Sequence, residues 1–182
     1  ARKQEVMEMY SQEEIAGIYQ RQYKMVYQIC FMLMKNTPDA EDAAQTVFRK
    51  VIERDTPFRD PEHEKAWLIK VTLNGCRKVW RSAWYRHADV VAMEEMPEGS
   101  IEEAGNAMEA GILKRERNRE ILEAVMRLPR KYREVIHLFY FQQMNIKEIS
   151  AATGRKESTV TSQLTRGREM LKKYLKEEYQ YE

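Results

Sequence analysis

Six side chains between Thr159 and Arg166 (Thr159, Thr161, Ser162, Gln163, Thr165 and Arg166) carry hydroxyls, an amide and a guanidinium. These are the groups that exchange hydrogen bonds with the edges of base pairs. Val160, Leu164, Leu171 and Leu175 recur through the same stretch at spacings of three, four and their multiples. One helix therefore has an apolar stripe, and the polar groups lie on the face opposite. Between Arg155 and Lys176 the cations Arg155, Lys156, Arg166, Arg168, Lys172, Lys173 and Lys176 outnumber Glu157 and Glu169, an excess that suits a phosphate backbone. Arg155, Lys156, Ser158 and Arg168 thus join the candidate DNA-binding set. The plain alternative is a solvated amphipathic helix in a bundle, which would not also require a capped helix and a glycine turn before a basic face.

A helix that enters a groove must be held from behind, and the residues before it supply the support. Asn145 can cap a first helix, with Glu148 three residues on able to reach back to it. Gly154 ends that helix, because a residue just past a helix end usually takes a positive φ that glycine adopts without a Cβ clash. Glu157 or Ser158 opens the second helix, and Ile146 and Ile149 offer the surface on which its stripe packs. The pattern is a helix-turn-helix.

A second chemistry-bearing stretch runs from Phe58 to His87. Phe58, Trp67, Trp80, Trp84 and Tyr85 interleave with Arg59, Lys70, Arg77, Lys78 and Arg81, and Asn74 lies among them. Rings beside cations can stack on an unpaired base while the charges hold its strand, although most rings in a small domain fill core. Asp60 before Pro61 starts a helix here, with Trp67, Leu68, Val71 and Val79 as its core positions. Upstream, Gln12 to Lys35 reads as a helix with Ile15, Ile18, Tyr19, Val26, Ile29, Cys30 and Leu33 inward. A second helix is capped by Thr37, carries Pro38 in its first turn and reaches about Arg54. Ala40, Ala44, Val47, Phe48 and Val51 form its buried stripe. Glu41, Asp42, Gln45, Arg49 and Lys50 remain on or near an outer face that could bind a partner or only water.

The 182 residues are 33% charged and 43% hydrophobic, with 7 Gly and 5 Pro, which describes a helix-rich chain. The expected fold is all-α, with two small helical domains, 1–87 and 113–182, joined by an acidic flexible linker at 88–112. The C-terminal domain is a four-helix domain. A helix through Ile121, Leu122, Val125 and Leu128 stops at Pro129, Arg130 to Phe141 follows with Tyr132, Val135, Ile136 and Phe139, and the helix-turn-helix completes it. Net charge is only +2, but Lys65 to His87 contains no acid and Ala88 to Ala110 no base. Two basic modules around an acidic connector suit nucleic acid better than a mixed surface does. The seven acids from Asp89 to Glu109 could also compete with phosphates for the basic faces.

Cys30 and Cys76 are isolated, and His63, His87 and His137 are scattered, so neither a metal site nor a cofactor is expected. No apolar run approaches a membrane span, and a cytoplasmic location is expected. With no nucleophile and base, metal cluster or phosphate loop, an enzyme is the least favoured class. A dimeric helix-turn-helix regulator binding an operator, and a bundle that only binds proteins, are the alternatives these residues leave open.

Three stretches in their order resemble the extracytoplasmic-function sigma factors of bacterial RNA polymerase: DAEDAAQTVF (Asp39 to Phe48), AWLIKVTLNGCRKVWR (Ala66 to Arg81), and Leu128 to Leu171. The resemblance implies a two-domain factor that docks on the polymerase core, recognises two promoter elements and leaves catalysis to the polymerase. It implies that Asp42, Gln45, Phe48 and Arg49 meet the polymerase. It further implies that the loop from Phe58 to Glu64 captures a flipped base of the upstream-ten element, with Asn74 and Arg77 contacting that strand. The helix from Ser158 reads the minus-thirty-five duplex, and an anti-sigma factor is implied as a further partner. Thr46, Ser150 and Gln163 depart from the residues frequent in the family, Gln163 replacing an arginine at a DNA-facing position.

Overall fold

Ser11 starts the first helix with a reciprocal cap. Its Oγ accepts from the Glu14 N–H at 3.1 Å, and the Glu14 carboxylate accepts from the Ser11 N–H at 2.8 Å. The computed structural model describes residues 10–81 and 110–179, and among these there are helices and short connections but no strand. They belong to two compact units, one holding 10–81 and the other 110–179. The acids from Asp89 to Glu109 lie outside the described residues, as do Trp84, Tyr85, Arg86 and His87.

In the first unit, α1 (Gln12–Met34), α2 (Thr37–Ile52) and α3 (Pro61–Arg81) pack against one another. The cap of α2 is Asn36 rather than Thr37: Asn36 Oδ1 accepts from the Asp39 N–H at 2.9 Å, and Thr37 is already helical. Asn36 has the extended backbone that a cap requires, and Pro38 then sits where its missing N–H costs nothing. Asp60 caps α3 by accepting from the His63 N–H at 2.7 Å, as expected. Ala40 and Ala44 are fully buried, as are Val26, Ile29 and Leu33 of α1, on which α2 packs.

Two expected core residues lie at the surface. Tyr19 is 46% exposed, its ring 4.8 Å from that of Tyr23 and 4.9 Å from that of Phe48. At the edge of the α1 stripe it keeps its hydroxyl in water while one ring face packs. Val79 is 39% exposed because Trp80 takes the inner position, donating its Nε1–H to the Leu33 carbonyl at 3.0 Å. That bond also satisfies a carbonyl in the last turn of α1.

In the second unit, α7 (Glu157–Tyr179) packs on α4 (Ala110–Arg127), α5 (Arg130–Ile136) and α6 (Ile146–Thr153). Val160 and Leu164 of α7 are buried with Ile149 of α6 and Val135 and Ile136 of α5. A Cβ on Gly167 would lie 2.8 Å from Ile136 Cγ1, so glycine is what lets α7 cross α5 this closely. Arg133, 1% exposed, donates to the Leu128 carbonyl at 2.9 Å and closes the end of α4. Ile121 is at the surface and Phe139 only half-buried, although both carry helical spacing.

The expected helix from Arg130 to Phe141 is not uniform. After Ile136 it widens to a π turn over His137–Phe141, with the Gln142 N–H donating to the His137 carbonyl at 3.2 Å. The turn stacks the His137 ring on that of Phe141 at 5.3 Å and brings Gln142 Nε2 to within 3.1 Å of His137 Nε2.

Candidate nucleic-acid interface

The helix-turn-helix is fixed by a short chain of bonds. Asn145 Oδ1 accepts from the Glu148 N–H at 2.8 Å, and Gly154, at φ 72°, ends α6 with its N–H on the Ser150 carbonyl. Ser150 donates its hydroxyl to the Arg155 carbonyl at 2.6 Å. The Thr153 hydroxyl donates to the Ile149 carbonyl at 2.7 Å. The turn is thereby closed from both sides before α7 begins at Glu157.

On α7, Ser158, Thr159, Thr161, Ser162, Thr165 and Arg166 are exposed. The hydroxyls of Thr161, Ser162 and Thr165 each donate to the carbonyl four residues back at 3.0 Å, which leaves their acceptor lone pairs outward. Arg166 is hydrogen-bonded to the Tyr132 hydroxyl, which holds that phenol below its usual pKa; the nearby Lys131 acts in the same direction. Lys156 is exposed at the turn.

Arg168, Arg155 and Gln163 are engaged by side chains at the edges of α7. Arg168 is exposed, but it is bonded to the Tyr140 hydroxyl and its guanidinium lies over the Phe139 and Tyr140 rings, away from the polar face. Arg155 donates to Glu134 Oε2 at 3.0 Å and to Gln163 Oε1 at 3.2 Å. Gln163 is accordingly half-buried at the edge of the polar face.

In the first unit, Lys70, Asn74, Arg77 and Arg81 recur at spacings of four, three and four, hence on one stripe of α3, with Lys78 beside it. Lys70, Asn74, Lys78 and Arg81 are exposed and Arg77 is half-buried. At the stripe's N-terminal end lies an aromatic cluster. The Phe58 ring is 5.4 Å from Trp67, 5.5 Å from His63 and 6.3 Å from Tyr10. The Arg54 guanidinium sits 4.3 Å from the Phe58 centroid and 4.8 Å from that of Trp67. The loop backbone is tied as well: the Phe58 N–H donates to the Tyr10 hydroxyl at 2.7 Å, and the Arg59 N–H to His63 Nδ1 at 3.1 Å. Arg59 itself is exposed.

Glu64 does not face the loop. It is 5% exposed, and its carboxylate accepts from Arg21 at 2.6 and 2.8 Å and from Gln22 at 2.9 Å. The Arg21 guanidinium holds the Glu64 carboxyl below the usual carboxylate range. Sequence reasoning did not find Arg54, Tyr10 or Arg21, whose partners are distant in sequence or reached around a loop.

On α2, Asp42, Gln45 and Arg49 are exposed, whereas Phe48 is 7% exposed and packs its ring on Tyr19 and Tyr23. Asp42 and Thr46 border a cleft of about 220 Å³ floored by Val47 and Cys76, with Lys50 on the same rim. Among the described residues no group of His, Cys, Asp and Glu could hold a metal, and no helix is long and apolar enough to cross a membrane.

Residues 18–86 match the Sigma-70 region 2 family and residues 118–171 the Sigma-70, region 4 family. The ECF RNA polymerase sigma factor SigW of Bacillus subtilis is 29% identical over 171 residues, covering 91% of each chain. SigV of the same organism is 25% identical, over 84% of this chain and 85% of its own. The sigma factor RpoE of Bartonella quintana, solved with the anti-sigma factor NepR, shares the fold with a TM-score of 0.61 at 19% identity, over 87% of this chain and 94% of its own. CnrH, solved with the cytosolic domain of CnrY, does so with a TM-score of 0.58 at 20% identity, covering 94% of this chain and 93% of its own. With the two regions matched in order, and an ECF sigma factor similar over 91% of both chains, the chain belongs to the extracytoplasmic-function sigma factors of the sigma-70 family.

Proposed function

We propose that this sigma factor, which directs RNA polymerase to specific promoters, divides that work between its units: α7 reads a duplex element, and α3 with the Phe58 loop holds an opened strand. The observation that carries the reading is the exposed polar face of α7, where hydroxyls and Arg166 stand beside a turn locked by Ser150 and Gly154. A pre-formed helix projecting such groups fits a major groove. The stripe of Lys70, Asn74, Arg77 and Arg81, ending in the Phe58 cluster, combines cations with rings and so suits an unpaired strand. Arg59 and Lys78 flank it.

Asp42, Gln45 and Arg49 on α2 form the polymerase-facing surface in this reading, and Phe48 supports that surface from beneath. The functional domains are 1–87 and 113–182, with 88–112 as linker. The protein works in the cytoplasm, contributes no catalytic residue and needs no cofactor. An anti-sigma factor is its regulator, a role supported by the similar structure of RpoE, solved with the anti-sigma factor NepR.

The test mixes the full chain with bacterial core polymerase and follows transcription from a promoter library. Initiation from a defined subset, dependent on both proteins, is the expected outcome. Tight, sequence-specific binding to palindromic sites without polymerase, and no initiation with it, would overturn the proposal.

A further inference from the structure

Gln163 stands at the edge of the α7 polar face, ~40° round the helix from Thr159 by the helical repeat. A free glutamine reads adenine with both ends of its amide, Oε1 accepting from N6–H and Nε2 donating to N7. Here the two ends are not equivalent. Arg155 Nη1 lies 3.2 Å from Gln163 Oε1, and a guanidinium has donors and no acceptor, so the atom facing it must be the amide oxygen. Arg155 is itself oriented by Glu134: Nη2 to Oε2 is 3.0 Å, the Glu134 side chain is 2% exposed and that of Arg155 21%. A second Arg155 contact, Nη1 to the Lys131 carbonyl at 3.5 Å, adds to the orientation. A carboxylate buried to that degree keeps its cation, because separating the pair would leave an uncompensated charge.

We propose that Glu134 and Arg155 are positioning residues that lock the Gln163 amide with its oxygen inward and its Nε2 hydrogens toward DNA, making Gln163 a donor-only reader that selects guanine over adenine. Nε2 has no partner among the described residues. Guanine presents two neighbouring acceptors in the major groove, N7 and O6, which the two Nε2 hydrogens can reach together; adenine presents N7 beside a donor that Nε2 would oppose. The locked amide therefore presents only donors to the base, because Arg155 holds its acceptor inward. Arg155 acts through Gln163 and not on a phosphate.

This inference rests on α7 being the duplex-reading helix, and the experiment separates the two. The full chain with core polymerase selects from a duplex pool randomised across the upstream element. Parent protein should show a preference of about tenfold or more for guanine at one position. The double variant Glu134→Gln with Arg155→Met removes both charges and frees the amide, and should move that one position from guanine toward adenine while the other positions stay as they were. Gln163→Glu keeps the Arg155 contact and turns an acceptor outward, so it should move the same position toward cytosine. Should the double variant fail to fold, this substitution decides alone. If Arg166→Ala alters the selected sequence but neither relay variant does, α7 reads DNA and the relay is refuted. If none of the three alters selection, the recognition-helix reading falls with it.

Discussion

Lowering the pH from 7 to 5 should destabilise the second unit by ~2 kcal/mol through one residue, His137. The imidazole is 3% exposed, stacked on Phe141, and burial pushes its pKa down to about 3. In the unfolded chain a histidine titrates near ~6.5, so below that pH the unfolded state binds a proton that the folded state refuses. The stability is fully present above the unfolded value and is lost as pH falls toward the folded one. Between pH 7 and 5 the unfolded form gains about 1.4 pK units of proton binding, at ~1.4 kcal/mol per unit. The assay is urea denaturation of the parent and of His137→Leu at each pH. All tryptophans, Trp67, Trp80 and Trp84, precede the second unit, so fluorescence reports the first unit and the remaining circular dichroism the second. The variant should start weaker, by ~1 to 3 kcal/mol for the contact that Gln142 loses with the ring, but should not share the extra acid loss. Parallel losses in parent and variant between pH 7 and 5 would refute the argument.

Gly167→Ala should destabilise the second unit by ~1 to 3 kcal/mol, because the new methyl meets Ile136 at the α5–α7 crossing; an unchanged urea midpoint would mean that α7 can shift without cost. Arg54→Leu should cost ~1 kcal/mol in the first unit through the lost contacts with Phe58 and Trp67, and should reduce initiation from duplex promoters more than from templates already mismatched at the start site. Equal reductions on both templates would count against a role in holding the opened strand. Replacing Asp42 and Arg49 together by alanine should weaken binding to core polymerase without altering the melting of the first unit, since both side chains are exposed; unchanged affinity in a pull-down titration would remove α2 from that interface.

What the chain discloses locally, it disclosed well. Asp60 before Pro61, Asn145 three residues before Glu148, and Gly154 after an apolar stripe each act within one turn, and all three appear where local chemistry places them. The buried stripe of α2 is legible for the same reason: helical spacing converts directly to one face. Tertiary competition is less legible. Trp80 and Val79 are neighbours with equal claims on the interior, and the Leu33 carbonyl that decides between them lies 47 residues away. Glu64 reads in sequence as a first-turn acid favoured by the helix dipole, whereas its burial depends on Arg21, 43 residues earlier. Arg155 reads as one cation among seven, and only the buried Glu134 reassigns it. The π turn has no local signature, because the aromatic run from His137 to Phe141 is equally compatible with an α-helix.

The two faces assigned to DNA are built on different physical footings, and the difference bears on what each can discriminate. On α7, the hydroxyls of Thr161, Ser162 and Thr165 are held by single bonds to carbonyls, and each can rotate to donate or accept at the cost of one weak hydrogen bond. Such groups accommodate several base pairs and contribute mainly affinity. Groups whose polarity is fixed by a buried partner cannot adapt, and a mismatch leaves them opposed to like character. That condition is met where Glu134 anchors Arg155 on Gln163. Around Phe58, by contrast, the fixed elements are backbone N–H groups and ring planes, held by Tyr10, His63 and Arg54. A ring plane stacks on any base, so this cluster supplies a surface on which a base already out of its pair can rest, while selectivity there has to come from exposed polar groups such as Arg59 and Asn74. In the proposed reading, sequence choice is therefore concentrated in the edge of α7 that the buried carboxylate controls, and strand capture in a loop whose geometry is set before DNA arrives.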